Sequence, residues 1–194
     1  MRASREVMAQ RHDEIITQTS KMLRQRGIVG TSLADLMAAV GLTHGGFYKH
    51  FDSKGQLVSQ ATERIFLEIN SRFEQRSHSQ GPKAGLKAYV DEYLTLSHIK
   101  SPELGCPIPS FAADIGREEE GLKRVFTAGL RSTLDLVKDG LSCPVAERQE
   151  KAIELLALLS GAVSMARATH DQKLSAEIIA SARKRANALI EARR

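Results

Sequence analysis

Apolar residues recur three and four apart along almost the whole of this chain, and no segment alternates apolar and polar residues as a half-buried strand does. That spacing puts a stripe on one side of an α-helix. A chain made of such stripes can bury them only against other helices, so an all-α fold is expected.

The stripes place the helices. The first is expected from about Ser4 to Arg26, with Ile15, Ile16, Thr19, Met22 and Leu23 inward and Gly27 as its stop. In "TSLADLMAAVG", Ser32 and Asp35 have capping-box spacing, and Leu33, Leu36, Met37 and Val40 fall at i, i+3, i+4 and i+7. Thr43 caps a short third helix, 44–50. A long fourth helix opens at "DSKGQL" and carries Leu57, Ala61, Ile65, Ile69 and Phe73. "SHSQGPKAG" (77–85) is expected as a turn, and "KSPELGCPIP" (100–109) as a loop before a short helix, "SFAADI". Further helices carry Leu86 to Leu94 and Leu122 to Val137. The last two are expected at about 146–168 and 174–192.

The chain of 194 residues, 42% hydrophobic and 26% charged, suits one medium domain, or a small domain joined to a larger one. The net charge of +5 points to a polyanionic partner, nucleic acid first. The excess is denser at the front: residues 1–60 hold eight Lys and Arg against five Asp and Glu, and the remainder twenty against eighteen. The opening "MRASREVMAQRHDE" has charges where a leader's apolar core would stand, and Glu154 interrupts the most apolar stretch. Two cysteines, Cys106 and Cys143, make no disulfide framework and fit a reducing cytosol. The expectation is a cytoplasmic protein with no membrane span.

"LTHGGFYKHF" (42–51) is the stretch that spacing alone leaves odd. Two glycines stand at the front of a short helix, where each costs about 0.8–1 kcal/mol relative to Ala. A capped helix, a tight turn at Gly41 and a second short helix make a helix-turn-helix, whose second helix enters the DNA major groove. Glycines at its front then let the backbone approach DNA closely, with a dipole that favours phosphate. Phe47 and Phe51, four apart, share the face that packs inward, while Tyr48 and Lys49 project elsewhere. The same geometry also occurs in plain helical bundles.

"TSLADLMAAVGLTHGGFYKHFDSKGQL" resembles the N-terminal signature of the TetR family of bacterial transcriptional regulators. The likeness covers residues 10–60: a threonine opening the second helix, a small-residue turn, an aromatic-Tyr-x-His-Phe core and a Ser-Lys-x-x-Leu start to the fourth helix. It implies a three-helix DNA-binding domain over 1–52 and a helical effector-binding and dimerisation domain over 53–194. Carried onto this sequence, it implies phosphate contacts by Thr31, Thr43 and Lys54, base contacts by His44 and Gly45, backbone contacts by Tyr48 and His50, and either kind by Lys49. Gly55 stands where the family often has Glu. The partners implied are a double-stranded, near-palindromic operator, a small-molecule effector, and a second copy joined through the last two helices. The apolar breadth of 151–168 also asks for cover from several sides, by a partner subunit or within one chain.

For the effector, the candidate walls are the helices around Phe66, Tyr89, Tyr93, Phe111 and Phe126, residue types that also serve as plain core. His78, His98 and His170 are isolated, and no metal-ligand spacing, phosphate-binding Gly-rich loop or nucleophile elbow occurs, so no cofactor and no catalysis are expected. Cys106 is the exposed expectation. It precedes Pro107 at the start of the short helix reaching Ile115, and a helix N-terminus lowers a thiol's pKa. Some members of the resembled family that respond to electrophiles or oxidants have a similar Gly-Cys there. Cys106 is therefore read as a sensor, against an inert packed cysteine opposed by Glu103 and Asp114. The rivals to a ligand-responsive repressor are this cysteine-dependent sensor, a thiol enzyme, and a helical interaction protein that has lost DNA binding.

Overall fold

The computed structural model describes residues 5–192. Among them all regular structure is helical: α1 (Arg5–Arg26), α2 (Leu33–Ala39), α3 (His44–Phe47), α4 (Lys54–Gln80), α5 (Pro82–Tyr93), α6 (Leu96–Lys100), a 3-10 turn (Pro102–Leu104), α7 (Ile108–Ile115), α8 (Glu120–Gly140), α9 (Val145–Ala168) and α10 (Gln172–Glu191). The start expected at Ser4 lies outside the described residues. No helix among them is long and apolar enough to cross a membrane.

The core falls into two clusters. One gathers Ile15 and Leu23 of α1, Leu36, Phe47, Phe51 and the first half of α4 (Leu57, Val58, Ala61, Ile65), closed by Phe111, Ile115 and Leu122 from far along the chain. The other joins the second half of α4 to α5, α8, α9 and α10. One uninterrupted helix, α4, therefore serves both cores. Close approach along it needs small partners: a Cβ on Gly129 of α8 would fall 2.2 Å from the Phe66 ring, so the glycine lets α8 lie directly on α4.

Two local expectations are corrected. The turn expected over 77–85 shrinks to Gly81: α4 runs on to Gln80, and Gly81, at φ 88°, lets Pro82 open α5 at once. The stretch 100–109 is not a plain loop, because it includes a 3-10 turn, and α6, capped by Thr95, precedes it. The short helix begins at Ile108, earlier than expected, and is kinked at Phe111 (φ −151°, ψ 17°).

Candidate nucleic-acid interface and ligand cavity

The helix-turn-helix is fixed by its caps. Ser32 Oγ accepts from the Asp35 N–H at 3.1 Å, and the Asp35 carboxylate accepts from the Ser32 N–H at 3.1 Å. This reciprocal box satisfies donors that the start of α2 would otherwise leave open. Gly41, at φ 62°, ends α2, and the Leu42 N–H reaches back to the Met37 carbonyl at 2.9 Å. Thr43 then caps α3 by accepting from the Gly46 N–H at 3.2 Å. From α1, Arg11 donates to the Val40 carbonyl and so ties the end of α2 to the scaffold.

The third helix is shorter than 44–50. Four residues, His44–Phe47, are α-helical and the rest is turn. Phe47 and Phe51 are both 1% exposed, with ring centroids 5.5 Å apart, and root this segment in the core. His12 of α1 stacks on Phe51 at 4.5 Å and hydrogen-bonds Gln60 at 2.9 Å. With that face anchored, Thr43, His44, Gly45, Tyr48 and Lys49 are left exposed. A Cβ on Gly45 would meet nothing within 4 Å, whereas one on Gly46 would crowd Thr43 and Leu42. His50 is half-buried, and its pKa is lowered by burial first, then by the nearby charges of His12, Arg11 and Lys49. A neutral imidazole offers a hydrogen bond rather than a charge. Lys54, also half-buried, donates to the Ile28 carbonyl at 3.3 Å.

A cavity of about 400 Å³ opens in the second core. Ile69, Arg72, Phe73 and Arg76 of α4 form one wall, Tyr89, Glu92 and Tyr93 of α5 another, and the segment from Thr95 to Cys106 the third. Phe73 and Tyr89 stack almost parallel, centroids 4.6 Å apart. The Tyr93 hydroxyl pairs with Ser160 Oγ at 3.3 Å. His98 Nδ1 lies 2.6 Å from the Tyr93 carbonyl, and its Nε2 accepts from the Cys106 N–H at 3.4 Å. This requires the neutral ring with its proton on Nδ1, and burial, the largest influence, lowers the pKa of His98 in the same sense.

The shape of residues 31–54 agrees with what the chain resembles. Residues 15–61 match the profile of the family described as bacterial regulatory proteins, tetR family. An uncharacterised HTH-type transcriptional regulator of Lactococcus lactis is 21% identical over 82% of this chain and 84% of its own length. The HTH-type transcriptional repressor KstR2 of Mycolicibacterium smegmatis is 30% identical over 34% of this chain and 33% of its own. The reduced form of E. coli NemR superposes with a TM-score of 0.79 at 20% identity, covering 93% of this chain and 97% of NemR. A TetR-family regulator of Agrobacterium tumefaciens gives 0.76, also at 20% identity, covering 92% and 98%.

Residues 15–61 carry the DNA-binding signature of the TetR family. The chain is a transcriptional regulator that binds DNA through its helix-turn-helix.

Three expected residues of the regulator lie where their suggested roles do not reach. Thr31 is fully buried, and its Oγ1 donates to the Gly27 carbonyl at 2.7 Å. The exposed cap of α2 is Ser32, so the Thr31 hydroxyl closes the turn after α1 and faces no phosphate. Phe111 is buried in the first core, against α1 and α4, and forms no cavity wall. Phe126 packs edge-on against Phe66 at 5.3 Å, and neither ring lines the cavity.

Tyr89, Tyr93 and Cys106 do line it, together with His98, which sequence left isolated. The Cys106 thiol is not the lowered one expected. Burial pushes its pKa up from 9.0 to about 11, outweighing the Tyr93 hydroxyl, the Ile108 N–H and the charge of Arg167. Reasoning from sequence also missed Asp114, whose carboxylate accepts from the backbone of the α1–α2 turn, and Arg167, which donates to the Ile99 and His98 carbonyls and to Ser110 Oγ. An aspartate or an arginine in a helical stripe gives no sign of a partner 57 to 86 residues away.

Proposed function

We propose that the regulator is a repressor that holds a near-palindromic operator as a homodimer and releases it when a small molecule fills the cavity. One observation carries this reading. The helix that supplies Ile69, Arg72, Phe73 and Arg76 to the cavity also supplies Lys54, Leu57 and Val58 to the DNA-binding end, without a break. Whatever displaces the cavity wall displaces the platform under α3. It acts in the cytoplasm, where its operator lies.

Cover for α9 and α10 supports the homodimer. Ile153 is 50% exposed and Met165 57%, and between them a Cβ on Gly161 would meet nothing within 4 Å. Ala157, Gly161 and Ala168 continue that exposed stripe, which favours close contact with a second copy. In this reading Thr43, Tyr48, Lys49, His50 and Lys54 hold the phosphate backbone, and His44 and Gly45 face base edges. Selection of duplexes from a random pool tests it. Enrichment of an inverted repeat bound by two chains is expected; an asymmetric site, or monomers by ultracentrifugation at micromolar concentration, would overturn it.

A second reading, release by covalent modification of Cys106, has the thiol's place in the cavity wall in its favour. The raised pKa and the burial of Cys106 stand against it. Operator release by a thiol-reactive compound in wild type but not in Cys106→Ser would put it first.

A further inference from the structure

Tyr89, a residue of the cavity wall, carries a buried hydroxyl that the protein leaves unused. The Tyr89 hydroxyl is closed off from solvent and has no hydrogen-bond partner. Tyr89 as a whole is only 8% exposed. Buried hydroxyls without partners are rare in native chains, because their desolvation goes uncompensated. The groups that act on this hydroxyl electrically, Cys106 and Glu92, are both cavity residues. The neighbouring polar groups are already engaged: Tyr93 with Ser160, and His98 with the Tyr93 carbonyl and the Cys106 N–H.

A second wall group is also uncommitted. Arg72 spends its Nε on the Glu68 carbonyl of its own helix, at 3.3 Å, and no carboxylate pairs with it among the described residues. Arg76, by contrast, is paired with Glu92. With His98 neutral, the lining carries one uncompensated positive charge. The rest of the wall combines flat or apolar groups, Phe73, Tyr93, Ile69 and Leu104, with the small hydroxyls of Thr95, Ser97 and Ser101.

We propose that the cavity takes a planar, hydroxylated aromatic monocarboxylate. Its ring lies against Phe73 and Tyr93, its carboxylate meets the guanidinium of Arg72, and its oxygen at the other end pairs with the Tyr89 hydroxyl, which binding uncovers. A cationic ligand would meet Arg72 with no free carboxylate to receive it. The volume of about 400 Å³ lies within the range of small-ligand sites. The proposal rests on the effector reading above and names the effector's chemical class.

The probe is 6-hydroxy-2-naphthoic acid, compared with its methyl ester and with 2-naphthoic acid by calorimetry on the full chain. The acid binds wild type about tenfold more tightly than the ester, the size of one charge-assisted hydrogen bond. Arg72→Gln removes that preference. Tyr89→Phe weakens the hydroxy acid by about tenfold and leaves 2-naphthoic acid unchanged. It does not lower the melting temperature, since the hydroxyl it removes has no partner. An ester that binds as well as the acid, or no binding of either acid at millimolar concentration, overturns the proposal. Operator anisotropy separates it from the reading beneath it. Acid binding in this pattern without operator release keeps the ligand class and removes the effector role. Release by a cationic or neutral compound, with the acids unbound, does the reverse.

Discussion

The carboxylate of Asp114, on α7, accepts a hydrogen bond from the backbone N–H of Ile28 at 2.8 Å, in the turn that joins α1 to α2. It also accepts from the Val29 N–H at 3.4 Å. From the other side, Lys54 donates to the Ile28 carbonyl. The turn that leads into the helix-turn-helix is thus held by α7, from far along the chain, as well as by α4. The glycine at its start matches this. Gly27 has φ 72°, and a Cβ there would fall 2.6 Å from the Asp114 carboxylate.

Asp114→Ala should therefore lower stability by about 1–3 kcal/mol, the range for a hydrogen bond to a charged group. Urea unfolding measures it. Operator affinity of the folded fraction should fall as well, because the turn loses its brace. Unchanged stability would mean that water replaces the carboxylate at no cost.

Gly45→Leu should abolish operator binding and leave the circular dichroism spectrum native. Among the described residues outside its own helical turn, nothing stands within 4 Å of the added Cβ, so the clash is expected with an outside surface. Gly46→Leu should instead unsettle the fold, since its Cβ would crowd the Thr43 cap. Similar behaviour of the two variants would show that Gly45 does not face DNA.

Lys54→Ala should weaken binding to all sequences alike and reduce the slope of log K against log[salt] by about 0.9, the share of one phosphate. Anisotropy titrations between low and moderate salt read the slope. Thr31→Val should leave that slope alone and lower stability by about 1 kcal/mol, the worth of one hydrogen bond. Lost operator affinity at full stability would return Thr31 to the interface.

The Cys106 thiol should react slowly at neutral pH. With its pKa raised from 9.0 to about 11, its native thiolate fraction at pH 7 falls about 100-fold below that of the unfolded chain. Iodoacetamide labelling in native buffer and in urea measures the ratio. The sign for stability follows: below pH 9 the thiol is protonated in both states and adds no pH dependence. Between about 9 and 11 the unfolded chain releases the proton and the native chain keeps it, so stability falls as pH rises. Cys106→Ser should flatten that alkaline decline.

Much of the DNA-binding end was legible in the sequence because its determinants are local. The Ser32–Asp35 box, the Thr43 cap and the Phe47–Phe51 pair each act within four residues, so spacing reveals them. Spacing failed where contacts are remote. Thr31 stands beside a true cap and looks like one, but the turn after Gly27 draws its hydroxyl inward. Phe111 and Phe126 have the right composition for a cavity wall, yet the kink in α7 and the close approach of α8 at Gly129 give them to the core. For Cys106, the local argument from the helix start was outweighed by burial, which the spacing of one short segment does not reveal.

The length of α4 sets a lever. Ser20 of α1 donates to the Ala61 carbonyl at 3.2 Å, beside the contacts Arg24–Glu68, Arg64–Asp13 and His12–Gln60. If Ala61 is taken as the fulcrum, the arm to Lys54 is about 10 Å and the arm to Phe73 about 18 Å, at 1.5 Å per residue. A displacement of about 1 Å at the cavity then becomes only about 0.6 Å at Lys54, with force multiplied in the opposite ratio. Under the proposed release, a ligand in the cavity would work with mechanical advantage, trading travel for thrust against the grip on DNA.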